Sequence, residues 1–303
     1  MKIGVVIVTY NRLEKLKIAL SSFENQTFKP VWIIIVNNCS TDGTDDFLKN
    51  YVLKSDLDIN VITTESNLGG SGGFYRGLKE ALKFDADWIW VSDDDAFLYQ
   101  DALECADDYL RKHSTENISA IAAEVINHGK IDYGHRRTAF EDGIKIIELP
   151  SNEEDYKKES FEINEFSYVG SIISTKHLKE AGLTEKNYFI WCDDTEHSLR
   201  LSNVGKIVCV PSIKVQHDVA SFQGGLSWKD YYGWRNSIDM YSKHFSSKAV
   251  FFLYIRHYLK ALYYLVIKHD VEYYKMYYSA IKDARKHRLG IHEIYRPGWK
   301  LED

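Results

Sequence analysis

An α/β fold, Rossmann-like in its first half and carrying a C-terminal helical extension, is predicted by three features of this 303-residue chain. Apolar runs of strand length alternate with segments of helical periodicity over the first hundred residues. The run Trp88-Ile89-Trp90-Val91 leads through Ser92 into three consecutive carboxylates, Asp93, Asp94 and Asp95. Beyond about residue 240 the chain turns basic, tyrosine-rich and amphipathic.

Ile3–Val8 is a continuous apolar run, as expected of a strand buried on both faces, and the polar turn Thr9-Tyr10-Asn11-Arg12 follows it. Leu16, Ile18, Leu20 and Phe23 give residues 13–23 a helical period. Val31–Val36 is a second buried strand. It ends in Asn37-Asn38-Cys39-Ser40-Thr41-Asp42-Gly43-Thr44, rich in turn formers, where Thr41 or Thr44 can cap the next helix. Val61-Ile62-Thr63 leads to Asn67-Leu68-Gly69-Gly70-Ser71-Gly72-Gly73, and a helix is expected from Phe74 to Phe84. Four glycines in five positions predict a loop that lets backbone approach a ligand. Its spacing matches neither the phosphate-binding P-loop nor the dinucleotide fingerprint. The carboxyl edge of the sheet is therefore the candidate nucleotide site.

Adjacent acids repel one another, so a fold gains little by grouping them unless a cation or a ring of donors neutralises them. A divalent metal shared with phosphate oxygens is the common solution. An Asp run is ordinarily a solvated turn; its place at the end of a buried strand argues otherwise.

At 45% hydrophobic the chain can bury a core as one large domain or two smaller ones. Met1-Lys2 runs directly into a strand, so no signal peptide is expected, and no apolar run reaches the roughly 20 residues that span a bilayer. Cys39, Cys105, Cys192 and Cys209 form no CxxC pair, which argues against zinc or a disulfide framework and for a reduced, cytoplasmic chain. The net charge of −6 is uneven: residues 243–303 carry +6 and the rest −12. An acidic body repels phosphate backbones, so nucleic acid is not expected as a partner.

The order Val8-Thr9-Tyr10-Asn11-Arg12, Asn38 to Thr44, Asn67-Leu68-Gly69-Gly70 and Asp93-Asp94-Asp95 resembles the inverting glycosyltransferases of GT-A family 2, over residues 1 to about 240. Residues 67–74 most resemble the bacterial galactofuranosyltransferases, and rhamnosyltransferases share most of the pattern. The resemblance implies a GT-A domain at 1–240, with a nucleotide half (1–97) and an acceptor half (98–240), and a helical tail at 241–303. It implies that Thr9, Tyr10 and Arg12 line the pocket for base and diphosphate, with Asn37, Asn38, Asn67, Gly69 and Gly70 on the donor side. Asn37 stands where the family usually has Asp to hold the uracil N3–H, and an amide oxygen accepts that bond without charge assistance. Asp93 and Asp95 are then metal carboxylates and Asp94 faces the ribose or donor sugar, the three roles being open to exchange within the triplet.

Gly170–Ser174 is expected as a strand under the acceptor site, and Leu178 to Leu183 as a helix with a Gly stop. In Trp191-Cys192-Asp193-Asp194-Thr195-Glu196 the acids suit the first turn of a helix. The resemblance makes Asp194 the general base and Asp193 its partner or an acceptor ligand, with Trp191 and Glu196 beside the acceptor. His217 matches the family's late metal ligand for Mn2+ or Mg2+, after the strand Ile207–Val210. Arg235, in Tyr231-Tyr232-Gly233-Trp234-Arg235-Asn236, contacts the diphosphate or locks the loop. A phosphohydrolase would need Asp-x-Asp after the first strand, where Thr9-Tyr10-Asn11 stands instead. A silent scaffold would be expected to have lost one of these acids.

Phe251, Phe252, Ile255, Tyr258, Leu259, Leu262, Leu265 and Val266 recur at helical spacing, with Arg256, Lys260 and Lys268 on another face. Basic, aromatic helices of this kind suit a membrane interface. The alternatives are packing on the catalytic body or on a second copy of the chain. The expected partners are a nucleotide-sugar and a glycan or lipid-linked acceptor, met at the inner face of the plasma membrane.

Overall fold

The computed structural model describes residues 1–219 and 225–301. It begins with β1 (Ile3–Thr9), α1 (Leu13–Glu24), β2 (Trp32–Asn37), α2 (Thr44–Val52), β3 (Ile59–Thr63), α3 (Gly69–Ala81) and β4 (Trp88–Asp93). These four strands are parallel and lie in the order β3-β2-β1-β4. β1 and β2 are buried along their whole length because helices cover both faces, which is why they read as unbroken aliphatic runs.

The glycine segment is a helix, not the expected loop: α3 starts at Gly69, five residues before Phe74. Glycine is a poor helix former, and tertiary packing outweighs that here. A Cβ on Gly73 would sit 2.5 Å from Cγ1 of Val8, and one on Gly77 would sit 2.4 Å from Cγ1 of Val6. Bare backbone lets α3 lie directly on β1. Gly69 itself has φ +71°, and a Cβ there would fall 2.0 Å from the Phe189 carbonyl oxygen.

The second half runs β5 (Ala96–Leu98), α4 (Ala102–Lys112), β6 (Ile118–Asn127), β7 (Lys130–Ile131), β8 (Arg136–Asp142), β9 (Lys145–Pro150), β10 (Phe161–Ile163), β11 (Glu165–Phe166), β12 (Ser171–Ser174), α5 (Thr175–Ala181), α6 (Asp193–Ser202) and β13 (Lys206–His217). Among the described residues, β12 enters antiparallel between β4 and β6, and β13 and β10 extend the same sheet. β8, β9 and β11 form a small separate sheet. The strand expected at 207–210 continues to His217 through an irregular register between Val210 and Lys214. That continuation pairs His217 with Ala96 and so brings its imidazole beside Asp95.

The chain closes with α7 (Trp228–His244), α8 (Ser247–Val266) and α9 (Val271–Arg285). Gly182, at φ +82°, ends α5 as the expected stop. Met276 and Ala280 of α9 pack with Tyr231, Tyr232, Tyr295 and Phe189 in one buried cluster, so the tail is joined to the body.

Candidate active site

A cavity of about 310 Å³ opens at the carboxyl ends of β1 and β4. Eight of the expected donor-side residues line it, Thr9, Tyr10, Arg12, Asn38, Asn67, Gly69, Gly70 and Asp94, together with Asp93, expected as a metal carboxylate. Sequence reasoning missed Phe189, Ile190, Trp228, Lys229 and Pro297, which complete the wall from distant parts of the chain.

Thr9 Oγ1 donates to Asp94 at 2.8 Å, and Arg12 Nη1 donates to Asp94 at 3.1 Å and to Asp95 at 2.6 Å. Burial, then the charges of Asp95, Asp94 and Asp194, raises the Asp93 carboxyl well above the usual range. Burial also raises Asp94, against the pull of Arg12. Burial works against the charge on Asp95 as well, but His217, at 3.5 Å, and Arg12 outweigh it and hold that carboxyl low. Asn38 shapes the wall: its Nδ2 donates to Asn67 Oδ1 and the Gly69 carbonyl, and its Oδ1 accepts from the Leu68 amide. Asn37 is buried behind the cavity, its Oδ1 taken by the Ser40 amide at 3.1 Å. Asn37, expected at the base, is not among the residues that line the cavity.

Two carboxylates and an imidazole are a suitable donor set for a hard divalent cation. His217 Nδ1 is buried without a hydrogen-bond partner among the described residues. As placed, no three His, Cys, Asp or Glu side chains among the described residues converge tightly enough to hold an ion. Arg12 pairs with Asp94 and Asp95 instead.

The acid pair 193–194 opens α6, as expected. Phe189, Trp191 and Cys192 all have positive φ, 65–68°, a conformation non-glycine residues adopt only when surroundings impose it. Asn236 imposes it: its Nδ2 donates to the carbonyls of Tyr188, Ile190 and Trp191 at 2.9–3.0 Å. Arg235 donates to the Tyr188 and Gly290 carbonyls and to Asn236, and is 1% exposed. Of the two roles left open for it, Arg235 has the loop-locking one; it does not line the donor cavity.

Asp194 Oδ1 accepts from the amide and hydroxyl of Thr195 at 2.7 and 3.2 Å. Arg137 Nη2 donates to that hydroxyl at 2.9 Å, a contact from β8 that no motif announced. Burial raises the Asp194 carboxyl, opposed by the Arg137 charge. Burial and then the Asp194 charge push Asp193 up to about 8. Trp191 stands exposed, its ring against Gly233. Glu196 corrects the expectation of an acceptor contact: it is buried and held by Arg200 at 2.8 Å and His244 at 3.2 Å. Burial opposes its charge, but those bonds hold the carboxyl down to about 2.

Residues 4–182 match the family model described as Glycosyl transferase family 2. A galactofuranosyltransferase, GlfT1, of Mycolicibacterium smegmatis is 30% identical over 137 residues, 44% of this chain and 43% of that protein. The match thus spans less than half the length of that relative. S. aureus TarS 1-349 in complex with UDP-GlcNAc superposes with TM-score 0.61 at 17% identity, over 94% of this chain and 81% of that one. GalNAc-T7 with UDP, GalNAc and Mn2+ gives 0.65 at 16% identity, over 94% and 56%. At such identities the structures establish the GT-A fold, and the family model covers more than half of the chain. The chain belongs to glycosyl transferase family 2.

Proposed function

We propose that the chain is an inverting, metal-dependent glycosyltransferase that moves galactofuranose from UDP-galactofuranose onto a glycan or lipid-linked glycan in cell-surface polysaccharide synthesis. One observation carries the reading: a single cavity gathers Thr9, Arg12, Asp93 and Asp94. The galactofuranose donor rests on residues 67–74 and on the similarity to GlfT1. A rhamnosyl or other hexosyl donor on dTDP or UDP is the second reading, favoured by Asn37 in place of Asp.

Asp93, Asp95 and His217 would hold Mn2+ or Mg2+, which when bound offsets the charge that develops on the departing diphosphate. Asp194 takes the proton of the attacking hydroxyl, and its raised carboxyl makes it a better base than a free Asp. Arg137 and Thr195 aim that carboxylate. Asp193 assists as partner or acceptor ligand, and Trp191 offers an exposed ring on which a sugar can stack. One displacement on the face opposite the leaving group inverts the anomeric centre.

The tail attaches the enzyme peripherally to a membrane. Along α8, Phe251, Ile255, Leu259, Leu262 and Val266 are exposed, and the helix carries Lys and Arg but no acid. None of the described helices is long and apolar enough to cross a bilayer. A panel of nucleotide-sugars that includes UDP-galactofuranose and dTDP-rhamnose, scored by slow donor hydrolysis, tests the donor. UDP-galactofuranose should be hydrolysed fastest, and hydrolysis of no nucleotide-sugar in the panel would overturn the reading.

A further inference from the structure

Lys229 is a cation lining the donor cavity that no carboxylate among the described residues neutralises. It is the second residue of α7, half-buried, and lines the same cavity as Arg12. No carboxylate among the described residues lies within ion-pair distance of its Nζ, which stands 5.8 Å from the centroid of the Trp228 ring. Asp230, the adjacent acid, is occupied: its carboxylate accepts from the Ser227 amide and hydroxyl at 2.7 and 2.8 Å in a capping box. That box also fixes where α7 begins, and with it where Lys229 stands.

A half-buried ammonium without an anion is unfavourable unless a ligand supplies one. Burial, and then the repulsion of Arg12, holds the Lys229 ammonium below its ordinary value, so the two cations sense one another. They differ in partnership. Arg12 is bonded to two carboxylates, whereas Lys229 is held ready. The wall behind it is stiff: Tyr231 packs edge-on against Tyr232 and beside Tyr295, and Pro297, two residues on, lines the cavity. Two cations lining one cavity suit a ligand with more than one negative charge, as a diphosphate has and a nucleoside has not.

We propose that Lys229 binds the diphosphate of the donor, gripping the leaving group together with Arg12. The proposal rests on the reading of this cavity as the nucleotide-sugar site and adds the residue that recognises its phosphates. A flexible ammonium suits that task, since it can follow the phosphate oxygens as their charge grows.

The test is binding of uridine, UDP, thymidine and dTDP to the full chain, measured by calorimetry for wild type, Lys229→Met and Lys229→Arg. With whichever diphosphate wild type prefers, Lys229→Met should lose about tenfold or more in affinity while its nucleoside affinity stays unchanged. Lys229→Arg should recover most of the loss, and the salt dependence of diphosphate binding should be shallower in Lys229→Met. Equal diphosphate affinity in Lys229→Met and wild type would overturn the role of Lys229. So would an equal loss for nucleoside and diphosphate, which marks a distorted wall. Wild type that binds neither diphosphate would instead overturn the cavity as the donor site.

Discussion

Arg12 Nη1 lies 2.6 Å from Asp95 Oδ2 and in the same geometry reaches Asp94 at 3.1 Å, so a side chain of the protein supplies the positive charge the triplet needs. Removing it in Arg12→Ala leaves buried carboxylates with less compensation. Because the guanidinium is half exposed, the expected loss is modest, about 1–2 kcal/mol at pH 7. Mn2+ should then stabilise the variant more than wild type, as read from urea midpoints with and without the ion. Identical Mn2+ responses would show that Arg12 and the metal do not share these acids.

Asn236 holds three carbonyls of a loop whose backbone is otherwise unfavourable. Asn236→Ala strands those acceptors and releases the left-handed residues, with an expected cost of about 3 kcal/mol. Limited proteolysis should cut first near the exposed Trp191. A variant as protease-resistant as wild type would remove Asn236 as the clamp.

Glu196 gives a pH signature. Its carboxyl is held down to about 2 in the fold, below its ordinary 4.5, so its stabilisation is fully present above about pH 4.5 and lost as pH falls toward 2. Glu196→Gln should therefore cost on the order of 2 to 3 kcal/mol at pH 7 and little near pH 2. Denaturation curves across that window check it; a constant difference would mean the bonds to His244 and Arg200 are not the cause.

The exposed face of α8 predicts vesicle binding. Wild type should co-sediment with vesicles containing anionic lipid, and a Phe251→Glu, Leu259→Glu double variant should not. If that variant stays on vesicles but changes from dimer to monomer in solution, the face packs on a second copy instead.

β1, β2 and β4 were legible because strands covered on both faces leave unbroken apolar runs, and Asp93 was legible because it ends such a run. The helix at Gly69–Ala81 was not, since glycine's conformational freedom signals a turn while the close approach to Val8 that demands it is a tertiary fact. Glu196 looked like a site residue because it stands beside Asp193 and Asp194; its partner His244 lies 48 residues away, beyond any local pattern. Arg137 and Lys229 reach the site from the small sheet and from α7, and a lone cation in sequence carries no mark of the cavity it enters. Trp228 and Pro297 were hidden for the same reason.

The proposed division of labour gives Asp194 the acceptor chemistry and the triplet side of the cavity the donor. Asp194→Asn, assayed for both donor affinity and transfer with the donor that wild type uses, tests it most directly. Donor affinity should stay within about twofold of wild type, and transfer should fall by a factor of roughly 10² to 10⁴. Transfer at the wild-type rate would contradict it.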